Sequence, residues 1–177
     1  MRIEQVPCLP TDTAVLRQMT EQDIEAWYQC LSDPRVTEHT SWSLASAADL
    51  SPLVAAYLSN DGASPIRFVL RSQPGGEFMG TIGFHTISPH HRTAEIAYEF
   101  SAGLWGQGWA SMCCRALTEW GFSQRRYVRI QATVLDSNVA SARVLERCGF
   151  VFEGMLRHYR IVRGEPRSYR LYAKTPD

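Results

Sequence analysis

Residues 94–116 read AEIAYEFSAGLWGQGWASMCCRA. The first part alternates strictly. Ile96, Tyr98 and Phe100 fall on one face of a strand running to Ser101, and Glu95, Ala97 and Glu99 on the other. A glycine-rich link, Trp105-Gly106-Gln107-Gly108-Trp109-Ala110, then opens a helix over about 108–122. Glycines at 106 and 108 let backbone amides turn toward a ligand, and the helix N-terminus adds about half a positive charge. That combination makes a pyrophosphate cradle, although a plain helix-entry turn would use the same residues. It is not a Walker A loop, because no Lys-Ser/Thr follows. It also lacks the third glycine of the dinucleotide fingerprint.

Working outward, a strand at 13–19 leads to Thr20-Glu21-Gln22-Asp23, a helix start with Thr20 as N-cap and Asp23 at the capping-box position. Ile24, Trp27, Tyr28 and Leu31 continue at helical spacing until Ser32-Asp33-Pro34. A second helix is expected over 46–58, ended by Asn60-Asp61-Gly62. Strands follow at 66–70 and 78–87, joined through Pro74-Gly75-Gly76-Glu77, then the quoted strand and helix. Beyond them come a strand at 127–134, a helix at 138–148, and strands at 151–162 and 167–173 about an Arg163-Gly164-Glu165-Pro166 turn. The order predicts one α/β domain over 1–177 with a mixed sheet.

The composition narrows function. The 177 residues carry 18 Lys+Arg against 18 Asp+Glu, a balance that argues against a general nucleic-acid binder. Residues 1–90 hold 5 Arg and 10 acids, and residues 91–177 hold 13 Lys+Arg and 8 acids. That split would suit a phosphate-rich cofactor in the second half and a cationic substrate in the first. Apolar runs such as Leu53–Leu58 fall well short of the ~20 residues of a membrane span. Glu4 stands where a secretory signal needs an apolar core, so a soluble, cytoplasmic chain is expected. Five cysteines without C-x-x-C spacing imply reduced thiols, with Cys113 and Cys114 as packing residues. His85, His90 and His91 flank a turn without ligand spacing, so no metal is expected. Trp42 is a candidate for lining a substrate pocket.

Asn138-Val-Ala-Ser141-Ala-Arg-Val-Leu145-Glu-Arg-Cys-Gly149-Phe150 is a second informative segment, capped by Asn138 and stopped by Gly149. Together, AEIAYEF, LWGQGWA and NVASARVLERCGFVFEG resemble the GNAT acetyltransferase superfamily, in its RimJ/RimL-like branch. The resemblance runs from Leu16-Arg17 to Tyr169-Arg170-Leu171-Tyr172. It implies a mixed, mostly antiparallel sheet of about six or seven strands with about four helices and a splayed parallel pair.

It also implies acetyl-CoA as cosubstrate. Trp105 takes the first, Gly108 the fourth and Ala110 the sixth place of the superfamily's cofactor loop. Amides from Gly106, Gln107, Gly108, Trp109 and Ala110 would hold the pyrophosphate, and the pantetheine arm would lie beside Phe100 and Ser101. Asn138 and Ser141 would lie near the arm and the sulfur. Glu95 matches the place of the base in some members, with Glu99 two pleats along. The tyrosine that many members use to meet the leaving thiolate falls at Leu145, and Ser141 is the substitute.

An acyl transfer of this kind needs a neutral amine, and an α-amine with pKa about 8 is easier to deprotonate than a lysine near 10.4. A strand amide freed around Phe100 could stabilise the oxyanion. The implied acceptor is an amine such as a ribosomal protein's N-terminus. A polyamine, an aminoglycoside-type antibiotic or a non-catalytic acyl-CoA-binding module are the other readings. Neither nucleic acid nor membrane is an expected partner, and homodimerisation is a tendency of the family.

Overall fold

A computed structural model of the chain describes residues 3, 5–41, 43–59 and 61–176. Its strands are β1 (Ala14–Gln18), β2 (Ile66–Ser72), β3 (Phe78–Ser88), β4 (Thr93–Phe100), β5 (Arg129–Leu135), β6 (Val151–Val162) and β7 (Glu165–Lys174). The helices are α1 (Ile24–Leu31), α2 (Pro34–Thr37), α3 (Ser51–Leu58), α4 (Trp109–Ser123) and α5 (Val139–Arg147). One seven-stranded sheet runs β1-β2-β3-β4-β5-β7-β6. Every neighbouring pair is antiparallel except β4 and β5. These two are joined through α4, the crossover that a parallel pairing needs.

The alternation read in 95–100 places the two faces. Ile96 and Phe100 join Ile82, Phe84, Ile130 and Val134 under Leu117, Trp120, Ala142 and Leu145 of α4 and α5. On the opposite face, Trp27 and Leu31 of α1 and Val54 and Tyr57 of α3 pack with Val69. Cys113 and Cys114 are fully buried on the first face, as packing residues should be.

Local chemistry explains where elements depart from the expected spans. The capping box at Thr20 and Asp23 is present, but it opens a short 3-10 turn before α1. The 46–58 helix likewise divides into a 3-10 turn at Ala47–Leu50 and α3, with Pro52 in the first turn of the latter. Pro34 begins α2, since its missing N–H falls where no partner is needed; Asp33 caps it by accepting from Arg35 N–H. Arg163 and Gly164 both take positive φ (50° and 84°), a two-residue turn that returns the chain earlier than expected, at Glu165. Tyr127 precedes β5 and packs edge-on to Phe84, with ring centroids 5.3 Å apart.

Asp23 ties the sheet edge to α1. Fully buried, it accepts from Arg17 (2.5 and 2.7 Å), Arg71 (2.6 Å) and the Thr20 amide and hydroxyl. Burial opposes its charge, but these donors outweigh burial and hold the carboxyl at about 2. A depressed folded-state pKa stabilises above the unfolded value, near 3.8, and the contribution is lost as pH falls toward 2. Asp23→Ala, which strands two guanidinium groups, is expected to cost about 3–5 kcal/mol in urea unfolding at neutral pH. A loss below about 1 kcal/mol would show the cluster to be dispensable.

Candidate active site

The loop after β4 makes a turn at Ala102–Leu104, and Gly108 caps α4 with φ +88° and no side-chain cap. Gly106 has φ +78°, and a Cβ at either glycine would meet nothing within 4 Å. The loop is thus open on its outer side, with Trp105 half exposed. The Gln107 amide donates to Leu104 O (3.4 Å). No intramolecular backbone bond among the described residues takes the amide of Gly106, Gly108, Trp109 or Ala110. Free N–H groups at a 15-residue helix N-terminus form an anion site.

Next to this loop the sheet opens. β4 and β5 pair only at Thr93–Arg129, Ala94–Ile130 and Glu95–Gln131, then run on separately to Phe100 and Leu135. Ser101 N–H donates to Met79 O (3.0 Å). The ladder's phase therefore turns Glu99 and Ala97 amides toward β3 and the Tyr98 and Phe100 amides toward the gap. The Phe100 carbonyl is taken by the Trp105 indole (2.9 Å).

A cleft of about 410 Å³ passes through this gap. Tyr98, Asn138, Ser141 and Leu145 line it on the α4/α5 side, and Glu99, Arg67, His85 and Arg160 on the other. His39 and Ser41, ahead of α3, also border it.

On the α1/α3 side lie the two predicted carboxylates, and each has a cationic partner. Glu95 accepts from Thr133 Oγ1 (2.6 Å) and Gln131 Nε2 (3.2 Å), with His85 Nε2 at 3.2 Å and Arg160 Nη2 at 3.6 Å. Burial works against its ionisation, but the bonds from His85 and Thr133 prevail and hold it at about 2. Glu99 is in a close ion pair with Arg67 and accepts from Thr81 Oγ1 (3.0 Å). Arg67 is itself almost wholly buried (3% exposed), donates to Thr81 Oγ1 and Ala97 O, and lies over the Trp27 ring. Both carboxylates of this wall come from residues 91–177, and each is paired with a guanidinium group, Glu99 with Arg67 and Glu95 with Arg160.

On the cofactor side, Asn138 Oδ1 accepts from Ser141 N–H (3.0 Å) and fixes the first turn of α5. Ser141 Oγ is then 2.8 Å from Tyr98 Oη. Of the predicted residues, Glu99, Asn138 and Ser141 line the slot; Glu95 lies behind His85 and Thr133, which do, and Phe100, Ser101 and the loop 105–110 follow β4 outside its lining. Arg67, His85, Tyr98 and Arg160 were not anticipated. His85, which the sequence places near a turn without ligand spacing, meets Glu95 across the β3–β4 pair. Trp42 lies outside the described residues. No group of three or more His, Cys, Asp or Glu placed to hold a metal occurs among the described residues.

A helix N-terminus with free amides, a parallel strand pair that parts beside it and a cleft through the parting are together suited to acyl transfer. A family profile described as an acetyltransferase (GNAT) domain matches residues 14–151. The protein YoaA of Bacillus subtilis (strain 168), an uncharacterized N-acetyltransferase, is 37% identical over 172 residues, covering 94% of this chain and 96% of YoaA. The fold matches the Salmonella typhimurium acetyltransferase that modifies the N-terminal serine of 50S ribosomal subunit protein L7/L12 (TM-score 0.84, 22% identity, 94% of this chain and 97% of that one). It also matches spermidine N-acetyltransferase from Vibrio cholerae in complex with CoA and spermine (TM-score 0.82, 20% identity, 93% and 96%). The chain belongs to the GNAT acetyltransferase family, and it is an N-acetyltransferase.

Proposed function

We propose that the acceptor is the N-terminal α-amine of a protein, ribosomal-protein-like, as in the RimJ/RimL-like branch, and that the amine attacks acetyl-CoA directly. The observation that carries this reading is the charge state of the acceptor wall. Glu95 is matched by His85 and Arg160, and Glu99 by Arg67. A polyamine needs several surplus carboxylates along its length. A single ammonium flanked by peptide carbonyls and, at times, side-chain acids suits a wall where carboxylates alternate with guanidinium groups.

Within this reading the loop 106–110 and α4 hold the pyrophosphate, and the arm lies in the slot beside Phe100 and Ser101. The Tyr98 and Phe100 amides face the carbonyl oxygen as it gains charge. Glu95, ionised far below neutrality, is a weak proton acceptor but a fixed anion, suited to orienting the ammonium and to stabilising the cation formed on attack. Glu95→Gln is expected to raise KM for the amine about tenfold with a smaller fall in kcat. Loss of kcat with disappearance of a limb of the pH–rate curve would instead make Glu95 the base.

CoA-thiol release separates the acceptors. Peptides with a free α-amine are expected to exceed spermidine in kcat/KM by about 10–100-fold, the equivalent of 1.4–2.8 kcal/mol. N-terminally blocked peptides should be inert. Preference for spermidine would overturn the assignment in favour of a polyamine acetyltransferase.

The same reading makes the chain a homodimer. β6 is the last strand of the sheet and exposes Val151, Phe152, Met155 and Ile161. Light scattering should return twice the 20.0 kDa of one chain. A monomer at micromolar concentration would remove it.

A further inference from the structure

Tyr98 is on the strand face that the alternation assigns to the core, and a phenylalanine there would fill the same space. Instead a hydroxyl is carried into a partly buried position at the cleft, where an unmatched polar group costs free energy. It faces Ser141 Oγ at 2.8 Å and Ser141 O at 3.4 Å, and both residues line the slot. We propose that Tyr98 is a positioning residue for the departing thiolate. Its phenol donates to Ser141 Oγ and so turns the Ser141 hydroxyl hydrogen into the slot, onto the sulfur. The inference rests on the reading that the slot takes the thioester of acetyl-CoA.

Ser141 has a single hydroxyl hydrogen, and its amide hydrogen is already given to Asn138 Oδ1. If Ser141 donates to Tyr98, its hydroxyl offers nothing to the sulfur, and the phenol hydrogen turns to Ser141 O (3.4 Å). If Tyr98 donates to Ser141, the serine hydrogen is released toward the slot. A developing thiolate selects the second arrangement, since a hydrogen bond to an ion is roughly twice as strong as a neutral one. The same donation polarises the serine O–H and strengthens that bond.

Tyr98 is not itself the acid. The titratable groups that bear on it are Ser141's neighbours in the wall, the thiols of Cys114 on α4 and Cys148 beyond α5, and neither supplies positive charge to hold a phenolate. Burial drives its pKa well above the usual value. Both hydroxyls therefore keep their protons. As the C–N bond forms and the C–S bond breaks, sulfur takes the bonding electron pair and a hydrogen bond from Ser141. The proton that completes CoA–SH is the one shed by the amine.

The test uses CoA itself, without an acceptor. The bound thiol is titrated through its thiolate absorbance in the wild-type enzyme, Tyr98→Phe, Ser141→Ala and the double variant. Each single variant is expected to make the bound thiol about tenfold less acidic, the double variant no worse than Ser141→Ala, and CoA affinity at low pH unchanged in all. An unchanged thiol in Tyr98→Phe with a weakened one in Ser141→Ala would overturn the positioning role alone. Independent, multiplying losses would do the same, as would loss of CoA affinity in Tyr98→Phe, which would reduce Tyr98 to shaping the slot. An unchanged thiol in Ser141→Ala would strike instead at the reading that places sulfur beside Ser141, and the inference would fall with it.

Discussion

Gly108→Asp is expected to abolish CoA binding, with at least a hundredfold rise in Kd measured by calorimetry. Three effects act together. Gly108 has φ +88°, a conformation that costs an L side chain about 1 kcal/mol or more. The residue is the N-cap of α4, so straightening its backbone would turn the freed amides of Trp109 and Ala110 away from their common focus. The new carboxylate would also accept from those amides, as aspartate does at helix N-termini, and would occupy the anion site with its own charge. Because a Cβ at 108 meets no protein atom within 4 Å, the fold itself should survive. Gly108→Ala separates the contributions: strain without charge should weaken binding by roughly tenfold or less. Retained affinity in Gly108→Asp would mean that the pyrophosphate is held elsewhere.

Arg67→Met is expected to be the most damaging single change in the acceptor wall. Arg67 is 3% exposed and joins Glu99, Thr81 and the Ala97 carbonyl. Its removal leaves the Glu99 carboxylate enclosed without its cation, a loss of about 3–5 kcal/mol for a buried pair broken on one side. Urea unfolding should show a lower midpoint with an unchanged slope. Pairing the change with Glu99→Gln should recover part of the loss, because the double variant no longer encloses a charge. The two variants should differ in catalysis too. Arg67→Met removes one positive charge from the wall, and spermidine should gain on α-amine peptides as acceptor. No gain would show that the net charge of this wall does not choose the amine.

Local chemistry was readable in residues 94–116 because each signal there depends on neighbours in the chain. Alternation assigned Glu95 and Glu99 to one face, Gly106 and Gly108 marked the loop, and Asn138 and Gly149 bounded α5. What escaped depends on register. Glu95 meets His85 because β3 and β4 pair with an irregularity between Phe84 and Thr86. Arg160 reaches Glu95 where β6 is irregular between Leu156 and Arg160, and His158 there takes φ 48°. Arg67 stands two strands away from Glu99 and spans β3 beside Gly83, where a Cβ would collide with the Ile66 carbonyl. Alternation told which face Tyr98 occupies, but not that a hydroxyl on another element would await it. Periodicity gives faces, and partners come from pairing.

The slot through the sheet also separates two histories. In the proposed reading Asn138 and Ser141 stand on the thioester's side, while residues 39–41, Arg67, His85 and Arg160 stand on the amine's. On such a division, substitutions in the second group would exchange one amine for another and leave the delivery of acetyl as it is. Structures that share this fold, one modifying a ribosomal protein's N-terminal serine and another named for spermidine, are what such a division would allow.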